Sequence, residues 1–356
     1  MKKNIFFYHF FPQCSKTAFN CKNWIKIIFY VDNGGKRCYS KILSQKSYQY
    51  FIEQELKMKK FLSIALAAAG TFSVFADAVP TPKQGWELLN KGEYAESEKV
   101  FRAIAANGEG NDKFVGTTGV MFALRRQKKN ADVVKEVDAW IAANKDATAD
   151  QKAALLNFKG NALRDTGKFD EAEAAYKQGI ELKSVGPASG DCAKECIVLF
   201  MNKNDFEAGK KIYEEASKQP VVMKNIGFLI NSATFMWRVK NSDEAMKLIT
   251  AAEKAKHPQW LDENIFRVKG YIYRDLLKKY EEAIKEFEKA LAVPKISATQ
   301  QAVLWNNIGM AYEQDEEYEK AVEAYKKVGT CNATGWFIKS AAASAARLQK
   351  RIDAGE

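Results

Sequence analysis

The sequence predicts an all-α fold: a right-handed superhelical solenoid of about seven helix pairs, closed by a C-terminal capping helix. The first observation is an internal repeat in which a small residue is followed four positions later by a bulky one, every 37 residues or so between Ser97 and Ala321. The second is that short turns containing Gly, Asn or Asp separate the apolar stretches. The third is the segment from Phe337 to Ile352, which reads as one more helix with a polar tail.

The repeat is expected to be helical because positions three, four and seven residues apart lie on one face of a helix. The small position falls at Ser97, Glu136, Ala172, Gly209, Ala245, Ala283 and Ala321, with Glu136 as the poor match. The bulky position falls at Phe101, Trp140, Tyr176, Tyr213, Ile249, Phe287 and Tyr325. One helix pair cannot bury such a face alone, so the pairs are expected to stack and to form a concave groove.

Residues 1–57 are expected to be an upstream extension that lies before the true initiator, Met58. Thirteen of these residues are aromatic, and Cys14, Cys21 and Cys38 lack the spacing of metal ligands. Neither a helical nor a strand period persists there long enough to bury a face. A disordered leader is the alternative interpretation.

Residues 58–76 have the three parts of a bacterial export signal. Met58 to Lys60 form a positively charged start, Phe61 to Phe72 an apolar stretch, and Val74 to Ala76 the small-residue pattern that a signal peptidase cleaves. The uncharged run from Phe61 to Ala76 is shorter than the roughly 20 residues of a membrane-spanning helix, so no integral membrane anchor is expected. We expect cleavage after Ala76, or after Ala78 as the alternative, and a periplasmic or secreted product.

The high net charge of the whole chain comes from the residues that precede Asp77. They contain 12 of the 55 Lys and Arg residues but only 3 of the 44 Asp and Glu residues, so residues 77–356 have a formal net charge of about +2. Nucleic-acid binding requires a clustered excess of Lys and Arg. We therefore expect no nucleic-acid partner.

The most specific motif lies between Ala302 and Val328. Trp305, Ile308-Gly309 and Tyr312, followed by Ala321 and Tyr325, fit the patterns W-x2-L-G-x2-Y and A-x3-F. Two further copies run from Leu156 to Gly179 and from Phe266 to Pro294, the latter with one extra residue in its turn. On these residues the chain resembles tetratricopeptide-repeat proteins over residues 77–335, with residues 336–356 as capping helix and tail. The resemblance implies a helical solenoid that binds proteins or peptides in its groove or along its edges.

The resemblance also indicates which side chains line the groove, because the first helix of each repeat faces it in such proteins. The matching positions are Asn157, Asn161, Arg164, Trp237, Arg238, Arg267, Tyr271, Arg274, Asn306 and Met310, together with Arg125, Lys128, Asp165, Lys194 and Asp275. Basic, amide and aromatic side chains outnumber acids there, which would suit an acidic or carboxylate-bearing peptide. Equally, these residues could be an ordinary polar surface. If Arg267 and Arg274 point into the groove, changing both to Glu should weaken binding and barely change folding.

Catalytic and metal chemistry is not indicated, and neither enzyme activity nor a cofactor is expected. His257 is the only histidine after residue 76 and is expected to be a solvated or helix-capping residue. Cys192, Cys196 and Cys331 do not have zinc-ligand spacing. Cys192 and Cys196, four residues apart on one helix, are expected to be buried thiols, with a disulfide as the alternative.

Two functions from different classes fit these observations. The first is a non-enzymatic scaffold or adaptor of the cell envelope that holds a protein or peptide partner in its groove. The alternative is a binding subunit for a cell-wall glycan or polysaccharide, with Trp237 and Tyr271 as aromatic platforms.

Overall fold

The computed structural model describes residues 27–31, 38–42 and 79–355, in two compact units, Met1–Ala78 and Val79–Glu356. In the first unit, strand β1 (Ile27–Val31) pairs antiparallel with β2 (Cys38–Ile42), with Ile27 opposite Ile42. The sequence analysis predicted no regular element there. The predicted export signal and its cleavage site lie outside the described residues.

Every regular element in residues 79–355 is a helix, which confirms the predicted fold class. Seven helix pairs form repeats 1 to 7, and a last helix caps the stack. The pairs are α1 (Pro82–Lys91) and α2 (Tyr94–Asn107), α3 (Gly110–Arg126) and α4 (Asn130–Ala143), α5 (Ala149–Asp165) and α6 (Phe169–Glu181), α7 (Ala188–Lys203) and α8 (Phe206–Ala216), α9 (Ile226–Arg238) and α10 (Ser242–Lys254), α11 (Asp262–Tyr271) and α12 (Tyr280–Leu291), and α13 (Ala298–Gln314) and α14 (Tyr318–Thr330). The cap is α15 (Trp336–Asp353).

In repeats 1, 3, 6 and 7, the two helices pack through a glycine on the first helix and an aromatic ring on the second. A Cβ atom on Gly160 would lie 2.4 Å from the ring of Tyr176, and one on Gly309 would lie 2.7 Å from the ring of Tyr325. Gly85 with Phe101 and Gly270 with Phe287 repeat this arrangement. Only glycine lets the two helices approach this closely, which is why the Gly and aromatic positions of the motif occur together.

The register predicted for repeat 2 is wrong by three residues. The buried small and bulky positions of α4 are Val133 and Val137, whereas Glu136 and Trp140 are partly exposed. Val137 is small where repeats 1, 3, 4, 6 and 7 have an aromatic ring, and Met121 stands where repeats 1, 3, 6 and 7 have the facing glycine, in the same core cluster. The larger residue is therefore on the first helix, which hides the repeat from a search for aromatic residues.

The seven turns within repeats share one backbone geometry. Each turn contains one residue in the left-handed region, with φ between 53° and 84°: Gly92, Lys128, Gly167, Asn204, Lys240, Lys278 and Glu316. In most turns the N–H of the next residue donates to a carbonyl five residues back, as Lys168 does to Leu163 at 2.9 Å. Stacking therefore imposes the same turn on lysine and glutamate as on glycine.

Repeat 6 differs because its extra residue lies inside the first helix instead of the turn. The segment Ile272–Leu277 that follows α11 is a π-helical turn. The N–H of Lys279 then donates to Tyr273 O, six residues back, at 2.9 Å. A single inserted residue is a common cause of such a turn. It alters which way the residues of this turn point, and Arg274 and Asp275 are among them.

The C-terminal cap closes the core instead of leaving the last repeat open. Ala341, Ala345 and Leu348 of α15 are buried against Tyr325 and Val328 of α14. In residues 27–31, 38–42 and 79–355, no helix has both the length and the apolar character to cross a bilayer.

Candidate binding face

The first helices of consecutive repeats are joined by polar contacts that run along the solenoid. We call the surface formed by α3, α5, α7, α9, α11 and α13 the first-helix face. Five hydrogen bonds make these contacts: Arg125 Nη2 to Asp165 Oδ2 at 2.7 Å, Arg164 Nη1 to Glu195 Oε2 at 2.5 Å, Arg238 Nη1 to Met201 O at 2.8 Å, Trp237 Nε1 to Asp275 Oδ2 at 3.0 Å, and Arg274 Nη1 to Asn307 Oδ1 at 2.6 Å. Most of the residues predicted to line a groove therefore lie on one continuous face.

The arginines of this face are paired, so its basic character is weaker than the sequence suggested. Arg164 donates to Glu195, and the pKa of Arg164 is raised although its burial opposes this, because Glu195 bonds to it. Arg267 Nε donates at 2.7 Å to Glu263, a buried carboxylate that also accepts from Gln300 at 3.2 Å. The position pattern of the family did not include Glu195 or Glu263, and the i,i+4 spacing of Glu263 and Arg267 was the only local signal.

Arg274 is buried and does not point freely into a groove. Its side chain is 6% exposed; its Nε donates to Asp275 at 2.6 Å, and its guanidinium lies over the ring of Tyr271. The expectation that changing Arg267 and Arg274 together would barely change folding is therefore wrong. The π turn is the reason, since counting along a regular helix misplaces Arg274.

The aromatic rings of Trp237 and Tyr271 lie next to each other, and each ring covers one face of the other. Their rings stack with centroids 5.1 Å apart, and the Trp237 N–H is used by Asp275. Arg267 and Arg274 both lie within 6 Å of the Tyr271 ring. Little aromatic surface remains here to bind a sugar ring.

Of the predicted amides, Asn161 is buried and Asn157 and Asn306 are partly exposed. Asn161 Nδ2 donates to Asn157 Oδ1 at 2.9 Å, and the hydroxyl of buried Tyr176 donates to Asn161 Oδ1 at 3.0 Å. Asn306 Nδ2 contacts Met310 Sδ at 3.6 Å. Asn161 is therefore part of the packing inside repeat 3, whereas Asn157, Asn306 and Met310 remain accessible.

The junction of repeats 2 and 3 has features that the sequence analysis missed. Trp86 of α1, Phe122 of α3 and Phe158 of α5 form a row, with ring centroids 5.3 Å and 4.7 Å apart. The Phe122 side chain is 38% exposed. Neither Phe matches a motif position, so only the spacing of aromatic residues in successive repeats could have found the row.

Two polar atoms at the same junction lack partners. Within residues 79–355, Arg125 Nε and Asn157 Nδ2 are both buried without a hydrogen bond, although Asn157 faces the thiol of Cys192, a weak acceptor. Arg125 lies three residues from Phe122 on α3, and Asn157 is next to Phe158 on α5. Unsatisfied buried donors are rare in folded proteins, so both atoms mark a place where the polar groups of this structure are incompletely paired.

The two cysteines of α7 belong to its packed core. Cys192 and Cys196 are buried free thiols, and burial raises the pKa of both, to about 12 for Cys196. Such thiols are poor nucleophiles at neutral pH. Among residues 79–355, no cluster of three His, Cys, Asp or Glu side chains could hold a metal ion.

His257 ties the end of α10 to the start of α11 and is more buried than expected. Its Nδ1 lies 2.6 Å from Ala255 O and its Nε2 lies 2.8 Å from Asp262 Oδ1. Since both partners only accept, both ring nitrogens donate when the imidazole is charged. The hydrogen bond to Asp262 raises the pKa of His257 above its usual value, despite desolvation.

We expect the contribution of His257 to stability to depend on pH. Because the folded pKa is raised, this contribution is fully present below the ordinary histidine pKa of about 6.5 and is lost as pH rises through the folded value. Urea unfolding of the wild type and of His257→Gln between about pH 5 and pH 9 measures it. The two proteins should differ most at the acid end and converge at the alkaline end. A difference that grows with pH would contradict the assignment.

The helix pairs of this chain match a known type of repeat. Residues 153–185, 268–295 and 302–328, which belong to repeats 3, 6 and 7, match the sequence model of the tetratricopeptide repeat. The photosystem I assembly protein Ycf3 of Prochlorococcus marinus strain NATL1A is 28% identical over 100 residues, 27% of this chain. The chain spans 58% of the length of that relative.

A solved structure has the same architecture. A chain of the APC/C hetero-tetramer Cut9–Hcn1 superposes with a TM-score of 0.52 at 13% identity, over 79% of this chain and 50% of that one. A tetratricopeptide repeat protein from Parabacteroides merdae ATCC 43184 gives a TM-score of 0.46 at 14% identity, over 74% of this chain and 96% of that one. The identity to Cut9–Hcn1 is low, so this likeness shows the fold alone.

Proposed function

We propose, from the premise that this chain is a tetratricopeptide-repeat protein, that it is a non-enzymatic adaptor of the cell envelope. In this proposal it holds an extended segment of a protein partner on the first-helix face, at the junction of repeats 2 and 3. Proteins with this fold are protein-interaction scaffolds, and their function depends on the site that the repeats present.

The observation that carries the proposal is an aromatic row whose central ring is exposed, beside two buried donors without hydrogen bonds. Phe122, between Trp86 and Phe158, offers an apolar contact to a partner side chain. Arg125 Nε and Asn157 Nδ2 lie buried beside this row without hydrogen bonds, and in this proposal their side chains turn outward on binding to donate to backbone carbonyls. An extended peptide has one carbonyl per residue and alternating side chains, so it can use both kinds of contact at once.

The acidic character of the partner, expected from the sequence, is not part of this proposal. Arg125, Arg164, Arg267 and Arg274 all have carboxylate partners on the first-helix face itself. An acidic peptide would have to displace those carboxylates, and each exchange would replace one ion pair with another.

The envelope location is supported by the export signal that the sequence of residues 58–76 predicts. Fractionation of the native cells together with the intact mass of the recovered protein tests it. A mass that begins at Asp77, in the periplasmic or secreted fraction, is the expected result. Cytoplasmic protein that retains Met58 would exclude export.

The binding face is tested by changing Phe122 to alanine, which should weaken binding of the partner about ten-fold or more, as truncation of a central aromatic contact does. The partner is captured from envelope extracts by the tagged protein, identified, purified and titrated against each variant. The melting temperature of each variant shows that it is folded.

The matched control is Phe169→Ala. Phe169 begins α6, on the second helix of repeat 3, and is 44% exposed, slightly more than Phe122. It should leave affinity unchanged. Equal loss of affinity in both variants, or no loss in Phe122→Ala, would exclude the junction of repeats 2 and 3 as the binding site.

The glycan alternative has less support. The two rings expected to serve as sugar platforms, Trp237 and Tyr271, stack on each other. Recovery of a polysaccharide without a stoichiometric protein from the same extracts would favour glycan binding over protein binding.

A further inference from the structure

The three most exposed large apolar side chains of residues 79–355 lie on one edge of the solenoid. They are Val185, Trp260 and Trp336, with exposures of 97%, 70% and 79%. Consecutive helices joined by short connections run antiparallel, so the turns within repeats lie at one edge and the connections between repeats at the other. Val185 and Trp260 lie in connections between repeats and Trp336 begins the cap. We call this the inter-repeat edge.

The connections hold these side chains outward through well-satisfied polar groups. Beside Val185, the buried Ser184 hydroxyl donates to Asp150 Oδ1 at 3.0 Å, and Asp150 also accepts from the N–H of Ala188 at 3.1 Å. Beside Trp260, His257 joins Ala255 to Asp262. Val185 and Trp260 therefore lie on connections that hydrogen bonds hold in place.

The same edge is basic from repeat 3 onward. The connections 182–187, 217–225, 255–261 and 292–297 contain five exposed lysines and no Asp or Glu. These are Lys183, Lys218, Lys224, Lys256 and Lys295. None of the five forms an ion pair within the part of the chain that the structure describes. By contrast, the turns at the opposite edge mix lysines with acids such as Glu93, Asp205 and Glu317.

We propose that the inter-repeat edge docks on an anionic lipid surface. Tryptophan prefers the membrane–water interface, where its ring meets both apolar chains and polar headgroups. Each lysine near an anionic bilayer adds attraction that decays within a Debye length. This inference concerns a different edge from the peptide site and does not depend on what the first-helix face binds.

A protein partner fits this edge less well. The cores of protein interfaces are depleted in lysine and rich in contiguous aromatic contact. Here the apolar side chains are separate, at every second connection, with unpaired lysines between them. A lipid surface accepts such separate anchors because it needs no complementary shape.

The proposal is tested by sedimentation of the protein with phosphatidylcholine vesicles, with and without phosphatidylglycerol. Binding is expected only to the anionic vesicles and should fall as salt is raised. Replacing Lys256 by Ala should reduce the partition coefficient roughly five-fold, as should Lys295→Ala. Trp260→Phe combined with Trp336→Phe should remove the quenching of tryptophan emission by brominated lipid, a readout that does not depend on lowered stability.

The control is Lys240→Ala at the opposite edge, where the side chain is also exposed. It should bind the vesicles as the wild type does. The proposal is overturned if wild-type protein ignores anionic vesicles, if Lys240→Ala loses as much binding as Lys256→Ala, or if the Trp variants keep full quenching. It is also overturned if the edge variants lose a stoichiometric protein partner while vesicle binding is absent.

Discussion

Replacing Tyr325 by alanine is expected to lower the free energy of unfolding by about 3–5 kcal/mol, as large-to-small changes in a core do. The ring of Tyr325 fills the space over Gly309, and its hydroxyl donates to Glu313 Oε2 at 2.8 Å. Glu313 also accepts from Arg347 of α15 at 2.6 Å. Tyr325 therefore links both helices of repeat 7 to the cap, and α15 should fray first. Urea unfolding measures the free energy of unfolding, and hydrogen exchange shows whether α15 unfolds before the other helices.

The control for this change is Tyr325→Phe, which keeps the ring and removes only the hydrogen bond. Its cost should be about 1 kcal/mol. Similar unfolding curves for Tyr325→Ala and the wild type would show that the ring is not part of the core of repeat 7.

Replacing Arg274 by glutamate is expected to destabilise the protein by about 3–5 kcal/mol or to prevent its folding. The new carboxylate would be buried next to Asp275, and Asn307 would lose the donor that reaches its Oδ1 at 2.6 Å. Like charges at this separation in a buried site repel strongly, and no cation remains between them. Expression level and urea unfolding measure the effect.

An exposed arginine at another helix end serves as the comparison. Arg126 lies in the last turn of α3 and is exposed, so Arg126→Glu should change stability by no more than about 0.5 kcal/mol. If both variants unfold at the same urea concentration, Arg274 does not have the buried network that its contacts indicate.

The repeats could be found from the sequence because their signal is periodic and local. Positions of the second helix in repeats 1 and 3 to 7 were correct, since a small residue and a bulky one four positions later must share a face. Repeat 2 was shifted because Val133 and Val137 carry no aromatic or small-residue signal. In repeat 2 the larger residue, Met121, is on the first helix and the smaller one, Val137, on the second, and this reversal is visible only when both helices are placed side by side.

The candidate site was predicted as a face but not as a set of free side chains. Position counting brought Asn157, Arg164, Trp237 and Arg274 to the first helices; the structure places the first three there and Arg274 in the π turn that follows α11. Whether a side chain there is free depends on residues from the next repeat, such as Glu195 for Arg164 and Asp275 for Trp237. Sequence separations of more than 30 residues join these pairs, and no local pattern indicates them.

The sequence alone determined the solenoid, the number of helix pairs and the presence of a cap, because each follows from which residues must be buried within one or two helical turns. Tertiary structure alone decided the left-handed turns at Lys128, Lys240 and Glu316, the π turn before Lys278, and the burial of Arg274. These features follow from stacking, in which each repeat is shaped by its neighbours. Periodicity shows which side of a helix is buried, whereas contacts between repeats determine which polar side chains remain free to bind a partner.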